Sequence, residues 1–147
     1  MIQIWLKYAA GFEDGLNHGE WQTVSSCFHS DATYARSSDD ERLVTPQLTG
    51  REDIVANFDG SVSVLDRRVA SRRINSIEIK TDGRTLHSQF TILYQVTDVP
   101  PFEFVGSDDY VFDENGLILS LRETIAPGIG AGLIEWLTIH GDALKPM

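Results

Sequence analysis

Trp5, Tyr8, Ala9, Phe12 and Leu16 recur at three- and four-residue steps, which predicts a helix over residues 2–16 with one apolar stripe. Asn17-His18-Gly19 is its stop, the glycine being free to take the left-handed turn. A second, short helix follows, with Trp21, Val24, Cys27 and Phe28 on its buried side. "DATYA" (Asp31 to Ala35) reads as a short strand, and the polar, turn-rich residues 37–49 read as a loop. Thr49 and Glu52 have the spacing of a capping box, so a third helix is expected from there through about Leu65.

From Ser71 the period drops to two. "SRRINSIEIK", "RTLHSQFTILYQV", "FEFVGSDDYVF" and "LILSLRETI" are four strand-like runs separated by Thr81-Asp82-Gly83, Asp98-Val99-Pro100-Pro101 and Asp113-Glu114-Asn115-Gly116. That punctuation predicts consecutive antiparallel hairpins. A last helix is expected between Gly130 and Leu144, with Leu133, Trp136, Leu137 and His140 on one face. Helices first and a meander afterwards imply an α+β fold with the helices on one side of an antiparallel sheet.

The last hairpin contains the oddest placement. Alternation puts Asp108 on the same face as Tyr110 and Phe112, with Asp109 and Val111 on the other. The returning strand adds Leu117, Leu119, Leu121 and Glu123 to the first face, and Ile118, Ser120, Arg122 and Thr124 to the second. A two-residue turn at Asn115-Gly116 sets Asp108 opposite Glu123, and Asp109 opposite Arg122 as a cross-strand ion pair. Two carboxylates on an apolar face repel when both are ionised, so one holds its proton to a raised pH and can act as a general acid. The competing reading is that both sit at strand ends, reach water and do nothing.

Composition narrows the function. The chain has 147 residues, one domain's worth, with 41% hydrophobic and 23% charged positions, as in ordinary soluble globular proteins. A net charge of −10 argues against nucleic acid and anionic lipid as partners. The single Cys27 gives no disulfide framework and fits a reducing compartment. The start, "MIQIWLKYAAGFEDG", has no basic region before an apolar run, so a signal peptide is not expected; no run is long enough to span a membrane, and the cytoplasm is the default. His18, His29, His87 and His140 lie in different elements without partners at ligand spacing, so no metal is assigned. His87 shares a strand face with Gln89, opposite Phe90 and Ile92, which puts it on the outer side of the sheet. Arg67, Arg68, Arg72 and Arg73 form a local basic run that reads either as an anion site or as a sheet rim paired with acids. Gly128, Gly130 and Gly132 have the wrong spacing and context for a dinucleotide loop and read as a hinge to the terminal helix.

"FEDGLNHGEWQTVSSCFHSDATYAR", "TGREDIVANF" and "SDDYVFDENGLILSLRETI" together resemble the nuclear transport factor 2-like superfamily, which includes ketosteroid isomerases, scytalone dehydratase, limonene epoxide hydrolase and the SnoaL-like polyketide cyclases. The resemblance covers nearly the whole chain. It implies a cone: a curved sheet wrapped over three N-terminal helices around a ligand cavity, with homodimers formed through the outer sheet face. Against the ketosteroid isomerases, the tyrosine position falls on Phe12, which has no hydroxyl, and the base position falls on Arg36, which cannot accept a proton. The sheet aspartate falls on Asp108, and a small apolar position becomes Glu123. Steroid isomerisation by that mechanism is therefore not expected.

The resemblance and the hairpin pattern make Asp108, Glu123 and Arg36 the candidate catalytic residues. Tyr8, Phe12, Tyr34, Phe58, Tyr110 and Leu121 are the candidate substrate contacts, although Tyr8, a helical aromatic, fits the core better, and Phe12 and Phe58 fit core or cavity lining alike. The expected function is cofactor-independent acid/base chemistry on a small apolar or polyketide- or steroid-like compound, of isomerase, cyclase, dehydratase or hydrolase type. A non-catalytic ligand-binding or dimerisation module of the same fold is the alternative.

Overall fold

A computed structural model describes all 147 residues. Its elements are α1 (Ile2–His18), α2 (Gln22–Cys27), β1 (Phe28–Ser37), β2 (Thr45–Thr49), α3 (Arg51–Val64), β3 (Ser71–Asp82), β4 (Thr85–Gln95), β5 (Phe102–Phe112), β6 (Ile118–Ile125) and α4 (Ile129–His140), with 3-10 turns at Glu41–Leu43 and Gly141–Ala143. The six strands form one curved, unclosed sheet in the order β2-β1-β6-β5-β4-β3. The fold is α+β as expected, with β3 to β6 as consecutive antiparallel hairpins. One pair, β1 with β6, is parallel.

Gly19 does end α1, at φ 70°, its N–H donating to the Gly15 carbonyl. Arg67 completes that end: its Nε donates to the Leu16 carbonyl at 2.8 Å and its Nη2 to the Gly15 carbonyl at 2.8 Å. A cation on the last turn of a helix satisfies orphan carbonyls and opposes the helix dipole. Arg68 does the same for the end of α3, through the Val64 carbonyl. Gly15 is needed for packing, since a Cβ there would fall inside the Trp21 ring. That ring is fixed in turn by an Nε1–H···Asp59 bond of 2.9 Å.

Four expectations about the first half need correction. Phe28 opens β1 rather than closing the second helix, and the strand runs ten residues, well beyond "DATYA". Residues 37–49 are not all loop, because Thr45–Thr49 add an edge strand pairing Thr33 with Thr49 and Tyr34 with Leu48. Pro46, which has no N–H for a ladder, is tolerated because β2 is an edge strand. The capping box does not form. Thr49 is committed to the β2 ladder, and Gly50 at φ 96° takes the N-cap position without a side-chain bond.

The last hairpin keeps its register where it matters and loses it at the turn. Asp108 pairs with Glu123, Asp109 with Arg122 and Tyr110 with Leu121, as expected. Beyond Val111 the register slips, so that Phe112 faces Ile118. Asn115-Gly116 is therefore not a two-residue turn. Asp113 instead organises a wider loop, its Oδ1 accepting from the N–H groups of Asn115 and Leu117. The bulge reverses the faces beyond it, as one extra residue must: Ile118 is fully buried, while Leu119 is exposed. Asp109 lies opposite Arg122 in the register but forms no ion pair with it. It meets His87 on the outer face, Nδ1 to Oδ1 at 2.6 Å, consistent with the outward placement expected for His87.

Of the glycines expected to form a hinge, only Gly128 precedes α4; Gly130 and Gly132 lie within its first turn. Gly128 is the N-cap at φ 82°, its N–H donating to Asp39, and a Cβ on Gly130 would run into Ser38 and Asp39. The interior holds two apolar clusters. One is built around Tyr8, Phe28, Tyr34, Ile54, Phe58 and Leu121, and the other around Phe90, Ile92, Phe104, Leu133 and Trp136.

Gly15→Ala is expected to destabilise the fold by about 1–3 kcal/mol, the usual range for overpacking a fixed neighbour. Denaturant titration checks this; an unchanged midpoint would show that Trp21 can give way.

Candidate functional site

Between the two clusters lies a cavity of about 830 Å³. That is within the range of small-molecule sites. Its walls come from α1 (Trp5, Tyr8, Phe12), β1 (Tyr34, Arg36), α3 (Phe58, Val62), the inward positions of β4 to β6 and the Leu133–Leu137 face of α4. All nine residues singled out from the sequence line it: Asp108, Glu123, Arg36, Tyr8, Phe12, Tyr34, Phe58, Tyr110 and Leu121. The core and cavity readings of the aromatics are both true. Tyr8 and Phe58 are buried in a network of edge-on and tilted ring contacts with each other, Phe12, Phe28 and Tyr110, and they still face the cavity.

The sheet register brings three charged side chains into a row. Asp108 on β5 lies opposite Glu123 on β6, and Glu123 lies opposite Arg36 on β1. Arg36 Nη1 stands 3.7 Å from Glu123 Oε1, each side chain 20% exposed, while Arg36 Nε donates to the Leu43 carbonyl at 2.7 Å and is held in place. Asp108 Oδ2 accepts from the Tyr110 hydroxyl at 3.2 Å. Asp108 Oδ1 is buried with no hydrogen-bond partner at all. Buried polar atoms are nearly always paired, so this one stands out.

The two carboxyls differ in surroundings. Burial, then the neighbouring Glu123, pushes Asp108 well above the ordinary aspartate range, with the Tyr110 hydroxyl working weakly the other way. Glu123 is also raised by burial, but the Arg36 guanidinium and the Tyr34 hydroxyl oppose that rise. The pair therefore favours one proton between them, resident on Asp108, with Glu123 as the carboxylate. Burial also holds the phenols of Tyr8, Tyr34 and Tyr110 well above their usual value, so they remain neutral donors.

Sequence reasoning missed a second polar group in the same wall. Arg72, its side chain only 9% exposed, donates from Nε to Asp66 Oδ2 at 2.7 Å and from Nη1 to Glu13 Oε1 at 2.8 Å. Tyr94 donates its hydroxyl to the same Asp66 oxygen at 3.0 Å. Burial opposes the charge on Arg72, yet Asp66 and Glu13 outweigh it and hold the guanidinium charged. Two of the four arginines, Arg67 and Arg72, thus pair with acids, but Arg72 is interior rather than part of a solvated rim. Alternation from Arg72 through Ile74 and Ser76 could have placed it on the inward face. No three of the His, Cys, Asp and Glu side chains converge in a way that would hold a metal ion.

Asp108 binds its proton more tightly in the folded chain than in the unfolded one. Its stabilising contribution is complete below the unfolded value of about 3.9 and is lost as pH rises through the raised folded value. Asp108→Asn, which cannot ionise, is expected to stabilise the protein at pH 8 by on the order of 1 kcal/mol or more, a gain that shrinks towards pH 4. Urea denaturation of both proteins at the two pH values checks it; a difference independent of pH would contradict a buried, proton-holding Asp108.

Comparison with known proteins agrees with this architecture. A profile of the SnoaL-like domain matches residues 8–119. No curated protein sequence matches the chain. Among solved structures, TerC co-crystallised with polyporic acid superposes at TM-score 0.72 with 14% identity, covering 93% of this chain and 97% of its own. An NTF2-like protein from Anabaena variabilis gives TM-score 0.66 at 17% identity, covering 85% and 88%. An LEH-like epoxide hydrolase of M. tuberculosis gives 0.60 at 14% identity, covering 93% and 91%. With a family profile spanning most of the chain and these folds matching it nearly end to end, the chain belongs to the SnoaL-like domain family of the NTF2-like superfamily.

Proposed function

We propose that the cavity takes a small, largely apolar compound bearing a carbonyl or hydroxyl group, and that Asp108 and Glu123 move a proton on it without a cofactor. The observation that carries this reading is the partnerless Asp108 Oδ1 in an apolar wall. A protonated carboxyl there donates to a substrate oxygen and stabilises negative charge as it develops. Glu123, kept anionic by Arg36, takes a proton from an adjacent carbon or from a water. Arg36 itself never exchanges a proton and serves to set the charge of Glu123. The same constellation serves isomerisation, cyclisation, dehydration or hydrolysis, and the co-crystallisation of TerC, which shares the fold, with polyporic acid supports a small organic compound as cargo.

A second reading is favoured by the same contacts taken differently. Tyr110 on Asp108 and Arg36 on Glu123 partly satisfy one another, which suits a ligand carrier without turnover. The two readings separate on one experiment. The protein is incubated with 2-tetralone in D₂O, binding is followed by tryptophan fluorescence, and exchange of the α-hydrogens is followed by NMR. Acid/base chemistry predicts accelerated exchange that falls by about 10²–10⁴ in Asp108→Asn. Tetralone that binds and exchanges no faster than in buffer would leave the carrier reading.

We also propose a homodimer in the cytoplasm, formed through the convex sheet face. Support comes from Val111 and Leu119, exposed at one end of the β5–β6 hairpin, with the partly covered Val105 and Leu93 further along the same face of β5 and β4. Sedimentation should show a dimer that the double change Val111→Glu with Leu119→Glu converts to monomer; a wild-type monomer at micromolar concentration would contradict it.

A further inference from the structure

The cavity has a second polar end that the proton chemistry does not use. Asp108 faces Ser88 on β4, whereas the far cluster includes Tyr94, six residues further along the same strand. At about 3.3 Å per residue, roughly 20 Å of strand separates the two backbone positions, and the inward reach of the Asp108, Glu123 and Tyr94 side chains shortens the gap between their polar atoms inside the cavity. Between them the wall is apolar, formed by Phe90, Ile92, Phe104, Ile125 and Leu133. The two ends still sense each other, since the charge of Asp66 contributes to raising Glu123.

The chemistry of the far end is specific. Arg72 spends Nε on Asp66 and Nη1 on Glu13, and Tyr94 donates to the Asp66 oxygen that Arg72 already holds. These bonds leave Arg72 Nη2 as a donor and Asp66 Oδ1 as an acceptor without a protein partner, neither of them sealed from solvent. One cation beside two carboxylates gives the cluster no surplus positive charge, so it does not favour an anion. A hydroxyl group, which donates and accepts at once, fits both free atoms; a carbonyl fits only the donor, and a carboxylate is repelled by Glu13 and Asp66.

We propose that Arg72 and Asp66, the latter positioned by Tyr94, are specificity-determining residues that bind a hydroxyl at the far end of the ligand. The natural ligand is then a two-ended molecule: an apolar ring system with one oxygen at Asp108 and a hydroxyl at Arg72. This rests on the reading that Asp108 and Glu123 engage the near end. The alternative occupation of these residues is purely structural. Glu13, Asp66 and Arg72 also border a polar groove on the outer surface, so they form the wall between groove and cavity.

The test uses two pairs of probes that differ only in the far hydroxyl: 4-phenylphenol with 4,4′-biphenol, and 4-hydroxystilbene with 4,4′-dihydroxystilbene. Calorimetric titration of the wild-type protein should show the diol binding at least about tenfold more tightly in one of the two scaffolds, as expected when a buried polar site is left unpaired by the mono-ol. Arg72→Lys should bring the diol-to-mono-ol affinity ratio to about one, and Tyr94→Phe, which removes the hydroxyl that fixes Asp66, should lower that ratio. Equal affinities of diol and mono-ol in both scaffolds, a wild-type result independent of any variant's folding, would overturn the proposal. So would 4′-hydroxybiphenyl-4-carboxylate binding more tightly than 4,4′-biphenol. Failure of the near-end reading looks different: Asp108→Asn would then leave all four affinities unchanged, whereas it is expected to weaken mono-ol and diol alike.

Discussion

A carboxyl buried without a full set of partners is the constraint around which this molecule is organised. The β5–β6 register fixes Asp108 on the inward face beside Glu123, and no water-facing alternative exists without moving the whole ladder. Two like charges side by side in an apolar wall are resolved by keeping one proton, and the parallel β1–β6 pairing delivers Arg36 to the other carboxyl. Burial of Asp108 therefore carries a standing cost in stability at neutral pH. Such costs concentrate where function needs an unusual protonation state.

The rest of the architecture holds that arrangement rigid. Arg36 is anchored through the Leu43 carbonyl, and Tyr110, itself packed against Tyr8 and Phe112, is steered onto Asp108. Arg67 and Arg68 tie the ends of α1 and α3 to their surroundings, so the helices that line the cavity are fixed at the end where the second polar group lies. The cavity is thus bounded by side chains whose rotamers are set by hydrogen bonds, as a preorganised site requires.

How much of this was legible in the sequence depends on the range of the interaction. The Asp108–Glu123 pairing could be read because strand alternation and turn punctuation are local, and a wider loop at Asp113 compensated by a bulge left the register near Asp108 unchanged. The faces of Ile118 and Leu119 could not, because the bulge is decided by loop geometry rather than by pattern. Strand β2 was hidden by Pro46 and by its polar composition, features that an edge position permits. The Glu13–Arg72–Asp66–Tyr94 group joins residues up to 81 positions apart. No spacing rule reaches that far. Arg36 could be placed near Glu123 only through family likeness, since the parallel β1–β6 pairing links distant segments.

The most direct measurement is the carboxyl ¹³C NMR titration of aspartate-labelled protein, with the Asp108 resonance assigned by its loss in Asp108→Asn. A protonated chemical shift that persists well above the ordinary aspartate range of about 3.9 is the predicted result. An Asp108 signal that titrates with the surface aspartates would contradict the proton-holding carboxyl, and with it the chemistry assigned to the cavity.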